Sequence, residues 1–595
     1  MLPGMTGIAG HGGRSAAPGL WRRPSVPAAL ATTLLAVALA PQPARAQDPV
    51  AGRMVPETFQ PKKEATPPAI DLGRFAGQTA PVSAETVQVR PGAVRFEGDP
   101  LPLPEAGERL RRDLVRTPDQ APIMVADIFD RAARLEREMA DAGYVLTRIL
   151  TPPQKIEPGG AIVFRVVNGK IDELDASGLP PPVREAVLRR LRPLVGRAPL
   201  TLDEIERALL VAGDLGGLSL RSTVATGDSP GGVRLILDGG FNRISGAFGV
   251  DRLASERVGS WGLNGSVAVN SPLGNGEQVY LAYQGDLKTF LREDARMRVA
   301  AAGAVLPVGN SGATIGPEVV WARVRPLPAR GVPDSRNELL RATLRANLPL
   351  DRTRNHRINA QASLETVAQK VTAIDFDTVL SADSYLAARA GIDAQFYPSA
   401  SAVIIGTASV SQGLGDIDSP FSGVEEAPST HRGANGDFTR ANLVLGLRLQ
   451  GQVYSGSVAV RLQSAFGGPL VNSEQLNLDG PDGLSSLCPG EFAVDQGFTV
   501  RTEVSTRRQT PYFLPGVAEP YLFTAFGGGE VIDPGPGPDS ELRASEVGAG
   551  VRFRFGQLGP RNTPVSVGFE VGANWVNALE NKRDTRANLL LAVSF

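Results

Sequence analysis

The sequence predicts a membrane all-β fold, a 16-stranded antiparallel transmembrane β-barrel preceded by two periplasmic α/β modules. Three observations support this fold class. The N-terminus has the pattern of an export signal, residues 84–239 mix helical and strand patterns, and alternating strands then continue to the last residue. The chain has 595 residues, which is long enough for more than one domain.

Residues 1–46 fit a secretory signal peptide. Arg22 and Arg23 precede an apolar run at residues 28–40, which is too short to cross a bilayer as a helix. Residues 44–46 then form an A-x-A cleavage site. We therefore predict cleavage after Ala46 and export from the cytoplasm. No later apolar run is long enough for a membrane helix, so the exported protein is expected to be either soluble or a barrel.

Composition excludes several function classes. The formal net charge is −1, which gives no electrostatic case for a nucleic-acid partner. Cys488 is the only cysteine and the 3 histidines are isolated in sequence, so no disulfide, metal site or cofactor is expected. Neither G-x-S-x-G nor H-E-x-x-H occurs, and no G-x-x-x-x-G-K-S/T loop is present. We do not expect an enzyme.

Residues 47–239 divide into a linker and two modules. The Pro-rich stretch 47–83 predicts a flexible, extended linker whose prolines disfavour a long helix. Residues 84–169 and 170–239 each fit a β-α-α-β-β module. The first contains an amphipathic helix, and in the second Thr201 and Glu204 predict a capping box. A paired Rossmann half is the alternative, but no G-x-G-x-x-G follows a strand.

Residues 240–595 predict the barrel. In residues 565–575 the apolar Val565, Val567, Phe569, Val571 and Trp575 alternate with small or polar residues. This pattern suits lipid on one face and water on the other, whereas the strands of a soluble β-sandwich are usually shorter. The predicted strands begin near residues 241, 261, 278, 297, 314, 338, 357, 385, 402, 439, 453, 498, 520, 546, 565 and 588. An even number of strands can close without an exposed edge, and the last strand ends at Phe595.

Several runs resemble one family, the outer-membrane transporters of two-partner secretion, which are related to haemolysin secretion/activation proteins. GYVLTRILTPPQKIEPGGAIVFRVVNGKI, residues 143–171, is similar to the end of that family's first polypeptide-transport-associated (POTRA) module. Residues 249–283 resemble its first barrel hairpin. The resemblance implies two POTRA modules, with a substrate-capture strand at Tyr144, Val145 and Leu146. It also implies that Phe595 ends a strand recognised by the outer-membrane assembly machinery.

The resemblance extends to an extracellular loop at residues 477–498 that folds into the barrel in this family. The family motif resembles GPDSLRGYRPGEF, and this chain has GPDGLSSLCPGEF. The matching positions are Gly480, Pro481, Asp482, Leu484, Pro489, Gly490, Glu491 and Phe492. Ser485 replaces the family's arginine, and Ala525 replaces the aspartate that this arginine contacts on the barrel wall. We therefore expect an inward loop that is held by neutral contacts or held loosely.

The family resemblance implies a function. The expected function is to recognise an unfolded secreted partner, large and β-helical, in the periplasm and to move it to the cell surface without ATP. The lipid bilayer is the second expected partner, and the outer membrane is the expected location. A barrel-assembly factor of the same superfamily and a passive porin are the alternatives.

Overall fold

A computed structural model describes residues 50–61, 69–71, 78–252, 257–290, 292, 294–328, 333–510, 516–533, 540–558, 563–577 and 583–595. The predicted signal peptide at residues 1–46 lies outside these ranges. Within them, no helix has the length and hydropathy required of a membrane-spanning helix.

The first described stretch is short and largely irregular. It contains the one-turn helix α1 (Ala51–Met54), and strand β1 (Ala69–Asp71) follows further along the chain. The prediction of a flexible linker over residues 47–83 is wrong for residues 50–61, which pack inside the barrel. Pro56 limits α1 to one turn, as the prolines suggest, but Ala51 and Val55 are buried against barrel residues.

The first module spans most of residues 84–169. Its elements are β2 (Gln88–Val89), β3 (Ala93–Gly98), α2 (Pro104–Leu114), β4 (Ile123–Met124), α3 (Val125–Asp141), β5 (Arg148–Leu150) and β6 (Ala161–Val167). The main sheet has the order β3-β6-β5, with β3 parallel to β6 and β5 antiparallel to it. Both helices bury apolar faces against Ile162 and Phe164 of β6.

The second module repeats this arrangement. Its elements are β7 (Lys170–Gly178), α4 (Pro181–Leu191), α5 (Leu202–Gly213), β8 (Leu218–Thr226) and β9 (Gly232–Phe241). The predicted capping box is present, because Thr201 and Glu204 exchange hydrogen bonds at the start of α5. The sheet order is β1-β8-β9-β7, so β1 covers the edge of β8.

Tyr144, Val145 and Leu146 do not form the predicted capture strand. They lie in a turn between α3 and β5, and the strand begins only at Arg148. Gly143 has a φ of +94° and redirects the chain after α3. Leu146 is then buried in the core of the second module, so this segment connects the two modules instead of presenting a free edge.

The remaining strands form a closed antiparallel barrel, apart from two short loop strands that pair only with each other. They are β10 (Ile244–Asp251), β11 (Gly262–Asn270), β12 (Gln278–Asp286), β13 (Met297–Val308), β14 (Ala313–Val324), β15 (Ser335–Arg352), β16 (His356–Ala373), β17 (Thr378–Ser399), β18 (Ala402–Asp416), β19 (Thr439–Gln450), β20 (Tyr454–Ser464), the loop strands β21 (Leu476–Asn477) and β22 (Ala493–Val494), then β23 (Gln496–Thr506), β24 (Arg508–Gln509), β25 (Val517–Glu530), β26 (Glu541–Leu558), β27 (Thr563–Val576) and β28 (Arg583–Ser594). Because β23 and β24 both pair with β25, they act as one barrel strand, which gives 16. The predicted fold class is confirmed.

The barrel closes between its first and last strands. β10 pairs with β28 from Ala247↔Ser594 to Asp251↔Leu590. Gly246 and Phe595 exchange two main-chain hydrogen bonds of 2.9 Å each. The apolar Phe569 and Trp575 of β27 are exposed on the outer surface, whereas Glu570 and Asn574 between them are buried in the lumen. The predicted alternation therefore has its apolar face toward lipid.

Candidate functional site: an occluded barrel lumen

The connection between β20 and β23, residues 465–495, folds into the barrel and is called the inward loop. Its strands β21 and β22 pair with each other, and the predicted motif lies between them. Gly480 and Gly490 have φ values of +113° and +74°, which glycine adopts readily. Buried apolar residues anchor the loop to the barrel wall: Leu476, Leu478, Leu484, Leu487, Phe492 and Val494 pack with Ala525, Leu542, Ala544 and Val576.

The tip of the inward loop is neutral, but the barrel wall around it is charged. Ser485 Oγ accepts a hydrogen bond of 2.7 Å from Arg501. The same hydroxyl contacts the carboxylates of Glu546 and Glu570. The Ser486 amide donates to Glu546 at 3.0 Å. Side chains of the last strands complete the contact by donating to tip carbonyls: Asn574 to Ser486, Arg586 to Leu487 and Asn588 to Ser485.

The barrel wall supplies the arginine that the loop lacks. Arg501 on β23 pairs in register with Ala525 on β25, the position where the family resemblance implies an aspartate. Its guanidinium forms an ion pair of 2.6 Å with Glu570 on β27. The Tyr521 hydroxyl also donates to Glu570, at 2.8 Å. The ion pair is therefore built within the wall, and the loop tip docks on it through Ser485.

The other predicted loop residues have different surroundings. Leu484, Gly490 and Phe492 are buried, whereas Pro481 and Asp482 are exposed. Pro489 and Glu491 are partly exposed. Cys488, which lies between the buried tip and Pro489, is also partly exposed. Phe595 lies at the barrel seam and is 53% exposed.

Asp479 is a loop residue that the motif comparison missed. Its carboxylate accepts a hydrogen bond of 2.9 Å from the Gly490 amide and so closes the turn that carries the motif. Burial raises the pKa of Asp479 to about 6, although this hydrogen bond acts in the opposite direction. Arg461 of β20 also donates to the Asp479 carbonyl.

A second segment fills the lumen beside the inward loop. Residues 50–61, called the N-terminal strap, contact the loop through Arg53. The Arg53 guanidinium donates to Asn472 and Gln475, each at 2.5 Å. Asn477 of β21 donates to the Arg53 carbonyl at 2.6 Å. The strap and the loop therefore occlude the lumen as one connected unit.

The strap continues along the barrel wall. Arg341 donates to the Pro56 carbonyl at 2.5 Å, and Arg345 donates to the Thr58 hydroxyl at 3.0 Å. The Phe59 amide donates to Glu318 at 2.9 Å. A cavity of about 100 Å³ remains between the strap and strands β15 to β19.

A buried ionic cluster joins the inward loop to the wall beside this cavity. Glu474, in the short 3-10 helix Asn472–Glu474, is 2.6 Å from Arg389 and 3.3 Å from Arg440. Tyr385 donates to the same carboxylate at 2.6 Å. Burial alone would raise the pKa of Glu474, but the guanidinium groups of Arg389 and Arg440 outweigh it and lower this pKa to about 2.

The second module contacts the barrel at the end opposite the inward loop. Arg352 at the end of β15 forms a 2.9 Å ion pair with Asp214, and Arg354 forms one of 2.6 Å with Glu206. Ser271, in the first hairpin turn, donates to the Pro182 carbonyl of α4 at 2.7 Å. The module is therefore docked at the barrel mouth.

A closed barrel whose lumen is occluded by its own chain, with α/β modules at one mouth, defines an outer-membrane transport pore. Residues 239–554 match the family model described as haemolysin secretion/activation protein ShlB/FhaC/HecB, so the chain belongs to this family. It is a two-partner secretion-type transporter of the outer membrane.

Solved structures share this fold. The CdiB structure from Escherichia coli aligns with a TM-score of 0.67 at 18% identity, over 91% of this chain and 94% of that one. CdiB from Acinetobacter baumannii aligns with a TM-score of 0.59 at 14% identity, over 92% and 95% of the two chains. A sequence comparison with curated proteins gives no match.

Proposed function

We propose that this transporter recognises an unfolded secreted partner in the periplasm and passes it through the barrel lumen to the cell surface. One observation carries the proposal: the lumen is filled by two parts of the same chain, and polar contacts are a large part of what holds them there. Such contacts can be exchanged for others without a large net cost, because water or an incoming chain can satisfy the same groups.

The edge of β8 is the proposed capture site, in place of residues 144–146. β1 pairs with it in parallel, with Ala69, Ile70 and Asp71 opposite Arg221, Ser222 and Thr223. An edge that accepts one extended segment of this chain has the backbone groups to accept another. Strand addition requires little of the added sequence, which suits capture of an unfolded polypeptide.

We also propose that transport needs no ATP and no enzymatic step. The sequence has no phosphate-binding loop of the P-loop type. Folding of the partner outside the cell would then favour outward movement, because a folded chain does not return through the lumen. The unfolded partner is proposed to be large and β-helical, as the family resemblance implies.

Deletion of the gene, followed by proteomics of the medium and of the outer membrane, tests this function. We expect one large secreted polypeptide to disappear from the cell surface and medium, with the other outer-membrane barrels at normal levels. Depletion of many barrels would instead indicate an assembly factor. An unchanged secreted proteome would indicate a passive porin.

A further inference from the structure

The barrel wall and the inward loop hold the N-terminal strap through its main chain as well as through its side chains. Arg341 donates to the Pro56 carbonyl at 2.5 Å, and Arg345 reaches the Glu57 carbonyl at 3.5 Å. Asn477 donates to the Arg53 carbonyl, and Glu318 accepts from the Phe59 amide. Peptide groups occur at every residue of any chain, so these contacts demand little of the sequence that they hold.

The strap also follows the route that a transported chain must take. Its first turn packs beside Leu470 and Val471 of the inward loop, at the extracellular end. Thr58 and Phe59 lie lower in the lumen, against Glu318 of β14. Further along the chain, β1 pairs with β8 of the periplasmic second module. One continuous polypeptide thus links the proposed capture edge to the extracellular end of the pore.

The groups that hold the strap have unused hydrogen-bonding capacity. Among the described residues, Glu318 Oε1, Arg341 Nε and Asn477 Oδ1 have no hydrogen-bond partner. These atoms can hydrogen-bond to a polypeptide that lies slightly closer to either end of the barrel than the strap does. This arrangement suits a surface that binds successive peptide groups better than one built for a single fixed segment.

We propose that Glu318, Arg341, Arg345 and Asn477 form a main-chain binding track for the exported polypeptide, and that the strap occupies it as an internal substitute. The inference rests on the proposed function and assigns the lumen groups that contact the partner. Because the same groups cannot hold both chains, entry of the partner displaces the strap by exchange of hydrogen bonds.

The track also selects among side chains. Glu57 of the strap forms an ion pair of 3.2 Å with Arg440, and its side chain is 80% exposed within the lumen. Arg341 and Arg345 line the adjacent cavity, where Arg389 is already paired with Glu365 and Glu474. Acidic or neutral segments therefore bind here, and lysine or arginine in the place of Glu57 is repelled.

The first experiment separates holding the strap from binding the partner. Arg53→Ala removes contacts that the strap itself makes to the inward loop. The double variant Arg341→Ala and Arg345→Ala, called the track variant, removes wall groups of the track. Both variants should raise single-channel conductance of the full-length protein, because both release the strap. Only the track variant should secrete less partner than wild type.

Arg448→Ala, a matched wall substitution between the lipid-facing Leu447 and Leu449, should change neither readout. Equal secretion by the Arg53 and track variants would overturn the proposal.

The second experiment does not depend on knowing the partner. An unfolded Gly-Ser-Glu peptide, or the same peptide with lysine for glutamate, is added to the full-length Arg53→Ala protein in a planar bilayer. Blockades by the Glu peptide should last about fivefold longer than those by the Lys peptide. Adding Arg341→Ala and Arg345→Ala should abolish this difference. Equal dwell times with the arginines present would refute this selection among side chains, even if deletion of the gene confirms the transporter, whereas the track itself is refuted by equal secretion in the first experiment. A dwell-time difference with no lost secreted protein would retain the track and reject the proposed function.

Discussion

Ser485 stands where the family motif carries an arginine, yet the docked loop still meets a guanidinium. Arg501 on the wall donates to Ser485 and pairs with Glu570 at 2.6 Å. The arginine and the aspartate that the family motif carries are thus both absent, replaced by Ser485 and Ala525. The same site instead contains the ion pair between Arg501 and Glu570. A buried ion pair that loses one member leaves an uncompensated charge, so Arg501 and Glu570 should depend on each other.

Arg501→Ala should loosen the inward loop, because it leaves Glu570 buried without its cation at a cost of about 3–5 kcal/mol. Cys488, the only cysteine in the sequence, lies beside the docked tip and reports loop release through its rate of modification by a maleimide. We expect this rate to rise at least about tenfold. Arg543→Ala, which removes an exposed pair with Glu541, is the control. An unchanged rate in a folded Arg501→Ala barrel would disprove this role.

Asp479 predicts a pH dependence of loop docking. Its pKa is raised to about 6 in the docked loop, against an ordinary value near 3.9. The docked state therefore binds the proton more tightly, so docking is strongest below about pH 4, weakens as pH rises from about 4 to about 6, and levels off above that. The ratio of Cys488 modification rates in wild type and Asp479→Asn cancels the titration of the thiol itself. This ratio should be near one below about pH 4, should rise between about pH 4 and 6, and should level off above that. A flat ratio would contradict the assignment.

At the scale of elements, the barrel could be predicted because the alternation of apolar and polar residues is visible within single strands. Alternation in residues 565–575 marks one face for lipid, and the predicted starts at residues 278, 297, 402 and 439 coincide with the observed strands. The wall of a lipid-facing barrel must be apolar along its whole length, so the signal repeats in every strand.

The lumen contents and the capture strand could not be predicted in this way. The strap has one helical turn and no periodicity, and its position depends on distant groups such as Arg341 and Glu318. Residues 144–146 are apolar enough for a strand, but Leu146 is buried in the core of the next module. In both cases a contact with residues far away in the sequence determined the structure. The local sequence pattern does not show such a contact.

The pairing of β1 with β8 gives a prediction at this scale. Proline at both Ile70 and Asp71 removes main-chain donors from β1 and should uncover the β8 edge. Hydrogen exchange should then accelerate at the amides of residues 221–223 that face β1, because the others remain bonded to β9. Ala80→Pro, in irregular backbone that already precedes Pro81, is the matched control. Unaltered exchange in the double variant would mean that β1 does not protect this edge.

At the scale of the whole molecule, one chain connects the proposed capture edge, the lumen and the extracellular end. The second module is held at the barrel mouth by the Arg352–Asp214 and Arg354–Glu206 pairs. The inward loop and the strap close the lumen from the other end and contact each other through Arg53. The central claim is that the exported partner passes through the space that these two segments now occupy.

Photo-crosslinking during export tests this claim most directly, with a benzophenone side chain at Ser363 or at its neighbour Leu364. Ser363 lines the lumen cavity beside the strap, whereas Leu364 is 52% exposed on the lipid-facing surface of the same strand. In cells that secrete the partner, Ser363 should yield an adduct with the exported polypeptide and Leu364 should not. Equal adducts at both positions, or none at Ser363 while secretion continues, would contradict passage through the lumen.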